Sequence, residues 1–155
     1  MYNASKEIAM NKILVCVDFS VSSGPILEQA AKSSEAGSAE LILLHVAEPN
    51  PDFVGYEAGP EVVRMQMAKA YRDEHRQLQA LASDLTKKGI QVTSELVQGP
   101  SAETILSHAD SLGASLIILG THGHGKLYHM ILGSVSNSVL KHAKVPVLLV
   151  PVRGD

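Results

Sequence analysis

The residues with the clearest chemistry are Leu119-Gly120-Thr121-His122-Gly123-His124-Gly125, followed further on by Leu132-Gly133-Ser134-Val135-Ser136. In the first stretch an apolar run, Ser115 to Leu119, breaks abruptly into glycines. In the second, a glycine-serine pair opens what reads as a helix. Glycine lets the main chain approach a ligand closely and take φ > 0 at little cost. The unpaired N–H groups that begin a helix, together with its dipole, attract phosphate. The chemistry expected is anion binding by main chain, with the two pieces closing around the phosphates of a nucleotide. A formal net charge of −3 supplies no basic field for that task and no electrostatic reason to expect nucleic acid or an anionic membrane as a partner.

Other reactive types read more plainly. Gly120-x4-Gly125-Lys126 nearly spells a P-loop, but position 127 is Leu where Ser or Thr should reach Mg²⁺. Lys126 reads equally well as a contact to a terminal phosphate or as a surface lysine. His122, His124 and His129 cluster without a carboxylate or Cys at the usual spacing for a metal site. His122 falls inside the glycine stretch and is assigned to the nucleotide site; His124 and His129 read as exposed loop. His45 lies in an apolar strand and reads as a satisfied core or strand-end histidine, and His75, His108 and His142 as helix surface. The single cysteine, Cys16, sits within Ile13-Leu14-Val15-Cys16-Val17 and reads as a packed, inert thiol. One cysteine rules out an internal disulfide and suits a reducing compartment.

The elements that must position these residues follow from periodicity. At 155 residues, with 45% hydrophobic and 19% charged residues, the chain fits one globular domain with an aliphatic core. Ile13 to Val17 is an apolar run closed by Asp18, the pattern of a central parallel strand. Ser20, Ser22 and Ser23 offer caps, Pro25 suits a first turn, and Gly37 is expected to stop the helix that follows. Glu40 to Val46 is the second strand. Glu48 to Pro60 is a long aperiodic loop of the kind often used for function. A helix from Glu61 to about Lys88 carries the stripe Leu78, Leu81, Ala82, Leu85 and ends at Gly89; this stripe, Met65 and Met67 are assigned to the core. Ile90 to Val97 alternates like a half-covered edge strand. Gly99-Pro100-Ser101 opens a third helix that Gly113 closes, and Ser115 to Leu119 delivers the glycine loop. A helix from Ser134 to about His142 precedes a last strand, Val145 to Val152, whose prolines suit an edge. The alternation βαβαβαβαβ predicts a parallel sheet with right-handed crossovers, covered on both faces. No apolar run reaches the roughly 18 residues of a membrane span, and residues 1–10 read as a loose lead-in without a signal peptide, ahead of a domain over 11–153. The cytoplasm is the expected location.

Gly120-x2-Gly123, then nine residues, then Gly133-Ser134 resembles the G-x2-G-x9-G-(S/T) signature of the ATP-binding branch of the universal stress protein family. The likeness extends to Ile13-Leu14-Val15-Cys16-Val17-Asp18-Phe19-Ser20, to Leu43-Leu44-His45-Val46 and to Val145-Pro146-Val147-Leu148-Leu149-Val150, and so covers essentially the whole chain. The resemblance implies a single-domain, three-layer α/β/α fold with a five-stranded parallel sheet in the order 3-2-1-4-5, the adenine nucleotide alpha hydrolase-like arrangement. It implies ATP or AMP as ligand, with Mg²⁺ or Mn²⁺ at the phosphates. Asp18 would accept from a ribose hydroxyl or help hold the cation, with Phe19 and Ser20 beside it. Adenine would lie against Val17 and Val46, which offer main-chain groups and apolar contact. Leu119, Gly120, His122 and Gly123 would close on ribose and phosphates. Gly133, Ser134, Val135 and Ser136 would add N–H groups and hydroxyls. A homodimer through the last strand, Val147 to Val152, is implied as well, and an apolar sheet edge invites such pairing. The function implied is that of a small cytoplasmic sensor or regulator in stress responses, whose movable parts would be Glu48 to Pro60 and Lys126 to Leu132. The alternatives are a slow Mg²⁺- or Mn²⁺-dependent ATP hydrolase or phosphotransferase, for which no general base is evident, and a dimerisation module with a purely structural nucleotide.

Overall fold

The computed structural model describes residues 11–20, 22–48, 61–121 and 132–151. The lead-in over 1–10, the loop over 49–60 and the segment 122–131, with His122, Gly123, His124, Gly125, Lys126 and His129, lie outside the described residues. Among the described residues nine elements alternate: β1 (Lys12–Cys16), α1 (Ser23–Gly37), β2 (Glu40–Ala47), α2 (Glu61–Lys87), β3 (Val92–Gln98), α3 (Ser101–Leu112), β4 (Leu116–Gly120), α4 (Ser134–His142) and β5 (Val147–Val150). The sheet is parallel throughout, in the order β3-β2-β1-β4-β5. This is the α/β order that the resemblance implied.

The central strands carry continuous apolar runs, Ile13 to Val15, Leu41 to Leu44 and Leu116 to Leu119, because both faces are covered. Ile13, Val15 and Val17 face a layer that holds Ile26 and Ala30 of α1 and Leu78 and Leu85 of α2. Leu14, Ile42 and Leu44 face the opposite layer, with Ile105 and Ala109 of α3 and Val139 of α4. Travel along the sheet explains the two layers. From β1 to β3 the chain moves toward one edge; from β3 to β4 it crosses back past β1 and moves toward the other. Crossovers of one hand, applied in opposite directions, put α1 and α2 on one face and α3 and α4 on the other.

Four local expectations change. The left-handed residue that ends α1 is Ser38 (φ 49°), not Gly37, which is still helical; the Ser38 N–H donates to Ser34 O. The seryl hydroxyls before α1 do not cap it. Ser22 is its N-cap with no side-chain cap bond, and its hydroxyl is engaged with that of Ser20. Met65 is 64% exposed and Met67 37%, so neither belongs to the core, whereas Leu78 and Leu85 are buried. Length is the reason. A helix of 27 residues runs about 40 Å, while the seven residues of β3 span about 23 Å, so the first turns of α2 extend beyond the sheet. The last strand is also shorter than expected, with Pro146 and Pro151 just outside it.

Gly89, at φ 82°, has open space where a Cβ would go, and so does the exposed Gly37, whose φ is not left-handed. Two substitutions should therefore move stability in opposite directions. Gly37→Ala should raise the unfolding free energy by about 0.5–1 kcal/mol, and Gly89→Ala should lower it by about 1–2 kcal/mol, both read from urea denaturation midpoints.

Candidate functional site

Strand order reverses between β1 and β4, and ligands of open α/β sheets lie at the carboxyl ends of the strands at such a point. A cleft of about 760 Å³ opens there. Its floor is made by the ends of β1, β2 and β4. Its walls are the first turns of α3 and α4, part of the start of α1, and Glu74 and Gln77 from the middle of α2.

On the β1 side the chain turns out of the sheet at Val17, Asp18 and Phe19, all of which line the cleft. Phe19 sits at φ 60°, a rare conformation for a bulky residue. Asp18 braces the turn. Its Oδ1 accepts from the Ser20 N–H at 3.0 Å and from the Ser20 hydroxyl at 2.5 Å. Ser20 thus acts through Asp18 and does not itself line the cleft.

On the β2 side lie His45 and Val46. His45 is 9% exposed, and its Nδ1 donates to Val17 O at 2.7 Å. A carbonyl oxygen only accepts, so Nδ1 carries the hydrogen. The ring packs against Phe19, with centroids 4.4 Å apart and planes 40° apart, and Nε2 lies 3.8 Å from a Glu74 carboxylate oxygen. His45 is therefore satisfied, as a strand-end histidine should be, but it also forms part of the cleft. Val17 offers less main chain than expected, because its N–H already donates to Leu44 O and its carbonyl already accepts from His45. At the rim, the Ser101 hydroxyl donates to Glu48 at 2.7 Å and ties the end of β2 to the start of α3.

Opposite stand the two glycine pieces. Leu119 and Gly120 end β4, and Gly133 is the N-cap of α4. Two bonds join them: the Gly133 N–H donates to Thr121 O at 2.9 Å, and the buried Ser136 hydroxyl donates to Gly120 O at 2.7 Å. The single hydroxyl proton of Ser136 is thus engaged within the protein, where it ties strand to helix, and its main-chain N–H remains at the first turn of α4. Its N-cap, Gly133, brings no side chain to cap α4. The N–H groups of Ser134, Val135 and Ser136 precede the first intrahelical bond, Asn137 N to Gly133 O at 2.9 Å, and begin a helix whose first turn lines the cleft.

Among the described residues no Lys or Arg lines the cleft, whereas Asp18, Glu48 and Glu74 do. Also among the described residues, no group of three His, Cys, Asp or Glu side chains is placed to hold a metal ion. Cys16 lies at the cleft floor, and burial pushes its thiol up to about 12. Of the residues assigned from the sequence, Val17, Asp18, Phe19, Val46, Leu119, Gly120 and Gly133 to Ser136 come together here; His122 and Gly123 lie outside the described residues. His45, Glu74, Gln77 and Ser101 had not been assigned to the site.

Two outcomes follow. Ser136→Ala leaves the Gly120 carbonyl without its bond and should cost about 1–3 kcal/mol of stability in denaturant titrations. Cys16 in the folded protein should react with iodoacetamide at pH 8 on the order of a hundredfold more slowly than after unfolding, because so little of it is thiolate.

Comparison with known proteins accords with this geometry. The family model described as "Universal stress protein family" matches residues 10–151. The universal stress protein A homolog 2 of Coxiella burnetii is 35% identical over 150 residues, covering 93% of this chain and 97% of that protein. The solved structure of MJ0577 from Methanocaldococcus jannaschii superposes with a TM-score of 0.80 at 28% identity, covering 94% of this chain and 98% of that one. An Archaeoglobus fulgidus universal stress protein solved in complex with dAMP has a TM-score of 0.63 at 20% identity, covering 92% and 98% of the two chains, a likeness of fold. With a shared fold, a matching family model over nearly its whole length and relatives at this identity, the chain belongs to the universal stress protein family.

Proposed function

We propose that the protein binds an adenine nucleotide in the cleft at the carboxyl ends of β1, β2 and β4, and that it acts as a nucleotide-dependent sensor or regulator in stress responses. The observation that carries the reading is the junction of Gly120 and Gly133. Two bonds hold the strand end and the helix start together, and the first N–H groups of α4, after the glycine N-cap, begin at the cleft. These groups supply a positive dipole where no basic side chain among the described residues does. Asp18, braced by Ser20 at the cleft, would accept from a ribose hydroxyl. The complex of the Archaeoglobus fulgidus protein with dAMP supports the ligand class.

The donor set suits a hard cation only in part. Asp18 is one carboxylate, and Mg²⁺ in nucleotide sites is held by one or two carboxylates together with phosphate oxygens. Asp18 would therefore hold Mg²⁺ or Mn²⁺ when ATP brings its phosphates, and the cation would neutralise charge on them. Regulation follows if the nucleotide has different affinities for two conformations or assemblies. We place the protein in the cytoplasm as a homodimer. The outer edge of β5, on the side away from β4, is the surface for pairing.

Calorimetry with ATP and AMP tests the binding. Ser134 is the first helical residue of α4, where proline is favoured, and Gly133 at φ −56° and ψ 155° already has the backbone that precedes proline. Ser134→Pro therefore deletes one N–H of the cradle, together with the hydroxyl of the same residue, without disturbing the helix. It should leave the melting temperature unchanged and weaken ATP binding by about tenfold, a loss of roughly 1.4 kcal/mol. Asp18→Ala should weaken both nucleotides. Unchanged affinity in both variants would remove the reading. Phosphate release at many turnovers per second with Mg²⁺ or Mn²⁺ would favour an ATP hydrolase instead, and a monomer in light scattering at micromolar concentration would remove the dimer.

A further inference from the structure

We infer that His45 is a positioning residue that ends the β1–β2 ladder early and so keeps the main chain of Val46 open to the base of the ligand. The inference rests on the adenine-nucleotide reading above. Its basis is the alternation of β2. The Glu40 N–H donates to Asn11 O at 2.8 Å and Leu44 O accepts from Val17 N at 3.0 Å, so even-numbered residues turn their main chain toward β1. The Leu41 N–H donates to Gln91 O at 2.9 Å and Ala47 O accepts from Gly99 N at 3.2 Å, so odd-numbered residues turn toward β3. Val46 is the next even-numbered residue. Were the ladder to continue, its N–H would donate to Val17 O and its carbonyl would accept from the N–H of Phe19.

Neither bond forms. Val17 O accepts from His45 Nδ1 at 2.7 Å, and the chain leaves the sheet through the left-handed Phe19, φ 60°, whose ring rests on the imidazole. Among the described residues nothing pairs with the N–H or C=O of Val46, which lines the cleft. A part-buried amide and carbonyl left unpaired on one residue are costly until a ligand pairs with them. One donor beside one acceptor matches the adenine edge, where the ring acceptor N1 adjoins the N6 amine. Hypoxanthine carries N1–H and O6 there, donor and acceptor reversed, and meets Val46 like to like. Through this one side-chain bond, His45 sets base selectivity without touching the base.

The test uses the full chain and three variants. His45→Phe keeps the ring against Phe19 and removes the donor; His45→Leu is the second form of the same deletion, should the first not fold. His45→Asn keeps a donor near Nδ1. Amide hydrogen exchange at Val46 and calorimetry with ATP and inosine triphosphate are read for each, with the denaturation midpoint as the check on folding. In the wild type the Val46 amide should exchange fast without nucleotide and slowly with ATP, and ATP should bind at least about tenfold tighter than inosine triphosphate. In His45→Phe the freed Val17 carbonyl takes the Val46 N–H. Exchange there should slow without nucleotide, ATP affinity should fall about tenfold, and the preference for adenine should collapse. His45→Asn should restore all three. A folded deletion variant with wild-type exchange at Val46, or with wild-type affinity and base preference, overturns the inference. Failure of the wild type to bind ATP at all instead overturns the adenine-nucleotide reading, and the exchange comparison in nucleotide-free protein still decides what His45 does to the ladder.

Discussion

A parallel sheet satisfies its backbone from strand to strand, and this molecule's chemistry begins where that supply stops. At the carboxyl ends of β1, β2 and β4 the ladders end at different heights. β1 turns away at Val17, β2 runs on to Ala47, and β4 runs on to Gly120. Main-chain groups that would pair within a longer sheet are left facing one cleft, joined by the first turn of a helix whose N-cap is a glycine. Donors and acceptors of the backbone thus do the work that charged side chains do in more basic proteins. A chain of net charge −3 can in this way still present a surface that favours an anion.

The side chains around the cleft serve mainly to keep those groups exposed. Ser136 ties Gly120 to α4, Ser20 braces Asp18, and His45 takes the Val17 carbonyl. Ser136 and Ser20 thereby use hydroxyls that a simple reading would have offered to the ligand. The strained Phe19 belongs to the same pattern: an unfavourable backbone conformation at a site, held in place by its neighbours.

Much of this was legible in the sequence. Apolar runs closed by Asp18 and Gly120, helices closed by Gly89 and Gly113, and strict alternation gave nearly all element positions. The glycine spacing pointed to the two pieces that meet across the cleft. What sequence did not disclose is long-range and geometric. Ser136 reads as a free hydroxyl until Gly120 O is seen 2.7 Å away. Glu74 and Gln77 carry no local sign of the site, because nothing local says which turn of a 27-residue helix passes the cleft. Met65 and Met67 lie in a helix with a genuine apolar stripe, but the stripe needs a sheet beneath it and the sheet ends first. His45 was the recoverable miss. Counting parity along β2 from Glu40 marks Val46 as facing the end of β1, and its neighbour as the residue able to intervene.

The sulfur atoms show a last consequence. Burial holds the Cys16 thiol protonated far above neutral pH, whereas the Met65 thioether extends into solvent at the overhanging start of α2. A burst of peroxide meets that methionine sooner than the cysteine, and methionine sulfoxide is repairable by reductases. Among the described residues, an oxidative insult would then mark the start of α2 first, reversibly, before it reached the thiol on the cleft floor.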